Sequence, residues 1–234
     1  MAKDENILAQ EGMRFFGRMS ASATHEIKNA LATISENVGL MEDLSMMAEK
    51  GHPLSPERIN EISQRVNRQV QRADRVLRKL NRFSHSLDLS TESADLEKTV
   101  CFVLDLASRL IDMQEVTVEL TPPVSPLMVV NNLFYLENMI WRAIETACGA
   151  AEGEKQVMIS FGTDSAAPSI WFSMETVKDN VMNDLFGSKE DRAIMAYLDI
   201  SIEKNIENNG FGLLWPRHKR YKEKDNVGKS IACG

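Results

Sequence analysis

ATHEIKNALATI, residues 23–34, decides how the first half of the chain is read. Ala23, Ile27, Ala30 and Ile34 are apolar at steps of four, three and four, and Met41 follows seven residues on. Phe16 and Met19 carry the stripe upstream, and no proline interrupts the run from Ile7 to Lys50. That pattern predicts one long amphipathic helix. His25 stands two residues from both Ala23 and Ile27, which at about 100° per residue turns it nearly opposite the stripe. It faces water, and Asn29, Ala32 and Glu36 continue its face.

GHPLSP, residues 51–56, follows as a turn cluster with two prolines and a glycine. Ser55 is placed to cap a second helix, with Pro56 at its first position and Glu57 in its first turn. Ile59, Ile62, Val66, Val70, Ala73, Leu77, Leu80 and Phe83 then recur at steps of three and four, the seam of a bundle or coiled coil. Two long helices joined by a short turn form an antiparallel hairpin. One hairpin cannot cover its own narrow seam, so two copies are expected to pair as a four-helix bundle. Arg65, Arg68, Arg72, Arg75, Lys79 and Arg82 run along the same helix. They read either as a solvated face paired with acids of the first helix or as a docking surface for an acidic partner.

The texture changes near Asp88. LDLSTESADLEK (87–98) reads as a polar linker ending in a helix start, and TVCFVLDLASRLI (99–111) as an apolar helix. VTVEL (116–120) alternates and predicts a strand, and TPPVSP (121–126) is a turn. LFYLENMIWRAIETACGAA (133–151) is a long amphipathic helix, and QVMISFG (156–162) and SIWFSME (169–175) are a pair of strands. DRAIMAYLDISIEKNIENNG (191–210) reads as a further helix that Gly210 ends. The expected class is α+β: residues 1–90 form the helical hairpin, and residues 91–234 pack helices on a mixed sheet.

Bulk properties narrow the function. A net charge of −7 disfavours general nucleic-acid binding. Cys101, Cys148 and Cys233 form no CxxC pair, and His25, His52, His85 and His218 are scattered, so no metal site is expected. No run approaches the roughly 20 apolar residues of a spanning helix, and MAKDENILAQEG (1–12) is no signal peptide. A cytoplasmic protein is expected.

His25-Glu26-Ile27-Lys28-Asn29 resembles the H-box of the bacterial histidine kinases, written HExxN or HExxT, and the flanking ASAT (21–24) and LATI (31–34) are also similar. The resemblance implies that His25 is a phosphoacceptor and that Glu26 assists it as base and orienter. It also implies that Asn29 helps to place a water during dephosphorylation of the partner. Ala30 stands where the family often has proline, which predicts a less bent first helix. An imidazole with its ordinary pKa near ~6.5 has a free lone pair at neutral pH and can accept a phosphoryl group. A flat helix face lets a partner bring its own aspartate and Mg²⁺ in line. Lys28, Ala32, Thr33 and Glu36, with Arg65, Arg68 and Arg72 across the hairpin, are the expected docking residues.

From Ala94 to about Gly210 the order of elements resembles the Bergerat ATP-binding domain of the same kinases. NNLFYLENMIWRAIETACGA (131–150) is similar to its N-box helix, but the two N-box asparagines correspond to Arg142 and Thr146, leaving only Glu145. SMETVKDNVMNDLFG (173–187) lacks the glycine pair of D-x-G-x-G, and DRAIMAYLD (191–199) replaces G-x-G-x-G, with Ile194 and Met195 where backbone must approach phosphate. The resemblance is therefore to phosphotransferases that keep a kinase-like bundle and a degenerate Bergerat domain. It implies a homodimer relaying phosphoryl groups between response-regulator receiver domains, with a hybrid histidine kinase as a further partner, no bound cofactor and no ATP-dependent autophosphorylation. Two alternatives stand beside this reading: a non-catalytic regulator that sequesters a response regulator or kinase, and a kinase with an unusual nucleotide site.

Overall fold

The computed structural model describes residues 2–88, 91–153, 155–162, 167–177, 185–205 and 208–216, with side chains from residue 5 onward. Helix α1 spans Ala2–Glu49 as one 48-residue element. It ends where Gly51 takes φ +90° and the Lys50, Gly51 and His52 amides turn back to the Met47 and Ala48 carbonyls. Helix α2 spans Pro56–His85. The Ser55 hydroxyl accepts the Arg58 amide at 3.4 Å and donates to Glu57 Oε2 at 2.5 Å, so the cap and first-turn acid act as the spacing predicts.

The two helices pack as a hairpin, with Ala23 and Ala30 of α1 and Ile62, Val76 and Phe83 of α2 buried. The expected α2 seam splits into two edges. Ile62, Val76 and Phe83 lie on the edge covered by α1, and Val76 takes the buried place expected of Leu77. Ile59, Val70 and Leu77 lie on the other edge and remain 37%, 50% and 47% exposed in the single chain. Leu31 and Val38 of α1 are exposed beside Ile27 and Ile34.

The remainder is a five-stranded sheet with helices on one face and a separate two-stranded ribbon. The linker is partly ordered: Glu92–Asp95 is strand β1, antiparallel to β3 (Met128–Asn131). Asp95 then caps α3 (Leu96–Leu106) by accepting the Glu97 amide. The apolar helix expected over 99–111 is broken at Ala107, and α4 covers Ser108–Asp112. Strand β2 (Thr117–Leu120) pairs in parallel with β4 (Gln156–Gly162), which pairs antiparallel with β5 (Ser169–Met174). Between β3 and β4 runs α5 (Leu133–Ala150), whose N-cap Asn132 accepts the Tyr135 amide.

The stretch 191–210 corrects the sequence reading. Helix α6 covers only Lys189–Leu198 and stops where Asp199 adopts the left-handed conformation at φ 55°. The chain then forms β6 (Ser201–Asn205) and β7 (Gly210–Leu214), giving the order β2-β4-β5-β7-β6. Gly210 opens a strand instead of ending a helix. A Cβ there would lie 2.3 Å from the Phe172 carbonyl oxygen, so only glycine fits against β5. Val157, Ile159, Ile170, Phe172, Phe211 and Leu213 form the inner face of the sheet, packed with Ile140 and Ile144 of α5 in one core.

This core continues into the hairpin. Phe15 and Phe16 near the start of α1 meet Phe83 near the end of α2 at ring separations of 5.2 and 5.5 Å, and Phe134 of α5 joins them at 5.5 Å from Phe15 and 5.7 Å from Phe83. Four aromatic rings thus tie the mouth of the hairpin to the α/β unit.

Candidate functional site

His25 is exposed on α1, as its position opposite the stripe requires. Its Nδ1 lies 3.2 Å from the side-chain amide of Asn29, one turn along. An amide can turn either its N–H or its oxygen to a ring nitrogen. In the observed geometry the amide nitrogen of Asn29 donates to Nδ1, which in the neutral ring puts the proton on Nε2; the amide turned over accepts Nδ1–H and leaves the lone pair on Nε2. The next turns are tied to the backbone: Thr33 Oγ1 donates to the Asn29 carbonyl at 3.1 Å, and the Asn37 amide donates to the Thr33 carbonyl at 2.7 Å. Lys28, Ala32 and Glu36 are exposed around this strip and Thr33 is half-buried. His25 does not line the three cavities lined by Ala9 and Tyr135, by Gln156 and Asn209, and by Glu11 and Glu145, and its side chain is exposed on the helix face.

Glu26 departs from the expected arrangement. Neighbours at i and i+1 do not face one another on a helix, and the Glu26 carboxylate turns toward α2. There it is half-buried, 3.9 Å from the Arg72 guanidinium. The arginine stripe divides accordingly. Arg65 pairs with Glu61, Arg78 with Asp74 and Lys79 with Asp105, while Arg82 lies 3.9 Å over the Phe102 ring. Arg68 and Arg75 are exposed and make no ion pair among the described residues. Among the described residues, Arg72 is the α2 arginine that pairs with an acid of the first helix.

On the α/β side, the residue matching the first N-box asparagine is engaged elsewhere. The Arg142 guanidinium donates to Glu11 Oε1 of α1 and to Asp191 Oδ1 of α6, each at 2.6 Å. Asp191 also accepts the Ser188 hydroxyl at 2.5 Å. Glu145 pairs with Arg18, whose guanidinium lies 5.2 Å from the Trp141 ring centre. Ile194 is fully buried in the core and Met195 half-buried. A cation at Arg142, already shared between two carboxylates, does not suit a bound Mg-nucleotide. No group of three or more His, Cys, Asp or Glu side chains among the described residues could hold a metal ion.

Two features of the molecule escape a linear reading. The Glu11–Arg142–Asp191 cluster joins residues far apart in sequence and leaves no local pattern. Glu137 does leave a signal: it is a carboxylate inside the apolar run LFYLENMIW (133–141). It is fully buried, neither of its oxygens has a hydrogen-bond partner, and its pKa is pushed up to about 8. Burial is the main cause; Ser86 and Arg82 pull it down and Glu92 adds to the rise.

No protein-family model matches the chain, and no curated protein matches it. Among solved structures, Acinetobacter baumannii histidine kinase AdeS aligns with 82% of this chain and 96% of its own length, at 15% identity and a TM-score of 0.44. The cytoplasmic segment of histidine kinase QseC aligns with 62% of this chain and 95% of its own, at 13% identity and 0.43. A nucleotide-free catalytic domain of histidine kinase ThkA covers 54% of this chain and 93% of its own, at 13% identity and 0.40. No helix among the described residues is long and apolar enough to cross a membrane.

Proposed function

We propose that the chain is a histidine phosphotransfer protein that relays a phosphoryl group between receiver domains and does not phosphorylate itself from ATP. The observation that carries this reading is the His25–Asn29 pair on an open helix face. An exposed imidazole held at Nδ1 by a side chain one turn away suits attack on a phosphoryl group delivered by another protein. Mg²⁺ comes with the acidic pocket of the receiver. The engagement of Arg142 by Glu11 and Asp191 supports the absence of nucleotide chemistry. Glu26, Lys28, Ala32, Thr33, Glu36, Arg65 and Arg68 border the docking face.

Homodimerisation is part of the same reading. Leu31 and Val38 on α1 and Ile59, Val70 and Leu77 on α2 form apolar edges that one chain leaves open and a second hairpin would cover. A bacterial, cytoplasmic setting fits this assembly.

The test is incubation with a phosphorylated receiver domain, followed by assay of acid-labile, alkali-stable phosphate on the chain. Label at His25 supports relay. A stable complex with the receiver but no label supports the sequestering regulator instead.

A further inference from the structure

The only ion pair that joins α1 to α2 among the described residues is Glu26–Arg72, and it lies at the residue next to His25. With a half-exposed arginine at 3.9 Å it adds little to stability, since such pairs contribute at most ~1 kcal/mol. Its place beside the reactive ring gives it another use. We propose that Arg72 is a positioning residue for the chemistry of His25, acting through Glu26, and is not primarily a docking cation. The inference rests on the phosphoacceptor reading of His25.

When His25 takes a phosphoryl group, the Nε2 lone pair forms the N–P bond while the bond from phosphorus to the donor breaks, its electrons leaving with the donor's aspartate carboxylate. The ring keeps its Nδ1 proton and becomes cationic. A carboxylate fixed nearby offsets that charge as it develops. Glu26 supplies the carboxylate, but its place at i+1 on the helix does not aim it at the ring. An untethered glutamate samples many rotamers in water. Arg72, 3.9 Å away on α2, biases the carboxylate toward the groove between the helices. Arg78, farther along α2, pairs with Asp74 of its own helix and serves as the control.

The experiment uses phosphoramidate, a small phosphodonor that needs no partner protein. Its P–N bond breaks, ammonia leaves, and the new N–P bond forms on imidazole. Docking cannot influence this reaction. The initial rate of acid-labile phosphate formation on His25 is measured for the full chain, His25→Ala, Arg72→Ala, Arg72→Lys, Arg78→Ala, Glu26→Gln and the Glu26→Gln/Arg72→Ala double variant. Arg72→Ala is expected to slow labelling about tenfold, the order of a modest loss of positioning. Arg72→Lys should recover most of the rate, and Arg78→Ala should match the wild type. The double variant should be no slower than Glu26→Gln, because the two residues act as one unit. Thermal melting should be unchanged in Arg72→Ala. Labelling of Arg72→Ala at the wild-type rate, or a loss that multiplies with that of Glu26→Gln, overturns the proposal. Equal labelling of the wild type and His25→Ala would instead refute the phosphoacceptor reading itself.

Discussion

At the scale of single residues, His25 and Glu137 are opposites. His25 is exposed and hydrogen-bonded on a helix surface, whereas Glu137 is fully buried on α5, with Ser86 and Arg82 near it but no hydrogen bond formed to its oxygens among the described residues. An acid whose pKa rises from 4.5 to about 8 on folding is protonated in the folded chain and ionised in the unfolded chain between those values. Within that window the folded state binds the extra proton, so stability falls as pH rises, by up to ~1.4 kcal/mol per pH unit. The contribution is most favourable below the unfolded value and is exhausted above the folded one. Glu137→Gln is neutral throughout and should flatten the dependence. Urea unfolding between about pH 5 and pH 8 should show the wild type losing stability and the variant losing much less, with the variant the more stable at the upper end. Parallel slopes for the two proteins would mean that Glu137 is ionised in the native fold.

At the scale of elements, the hairpin was legible because its signals are local. Ser55, Pro56 and Glu57 mark the start of α2 in three consecutive residues, and the apolar stripe turns His25 outward by helical geometry alone. The region after Leu198 was not legible. ISIEKN carries helix-compatible residues, and what ends α6 is the left-handed backbone at Asp199, together with a sheet position at Gly210 defined only by the Phe172 carbonyl on a neighbouring strand. Strand β3 is four residues long and runs directly into the cap of α5, too short for a period to emerge. At the candidate site, His25 and Asn29 could be read from spacing. The inward turn of Glu26 toward Arg72 required the register of α1 against α2. The open edge of the hairpin yields its own prediction. Val70→Asp places a charge on the exposed apolar edge, which harms a dimer far more than a single chain. Light scattering should give a dimer mass for the wild type at micromolar concentration and a smaller mass for the variant with helicity kept. A monomeric wild type would refute the four-helix assembly.

At the scale of the molecule, α1 is the spine. Its first third carries Phe15, Phe16, Glu11 and Arg18, which hold the α/β unit through the aromatic cluster, Arg142 and Glu145; its middle carries His25; its remainder packs on α2. The helix that resembles an N-box is thus used for docking between parts of the chain. A ligand that binds the native state must raise its stability, so Mg-ATP at millimolar concentration should leave the melting temperature unchanged; a saturable upward shift would show a working nucleotide site. The central claim is that phosphate passes through His25. Its most direct measurement is a relay from one labelled receiver domain to a second, unlabelled one, with this chain as the only route between them. The account predicts label on the second receiver with the wild type, and none with a His25→Ala protein that keeps its fold and its affinity for both receivers. Undiminished transfer through His25→Ala would contradict it.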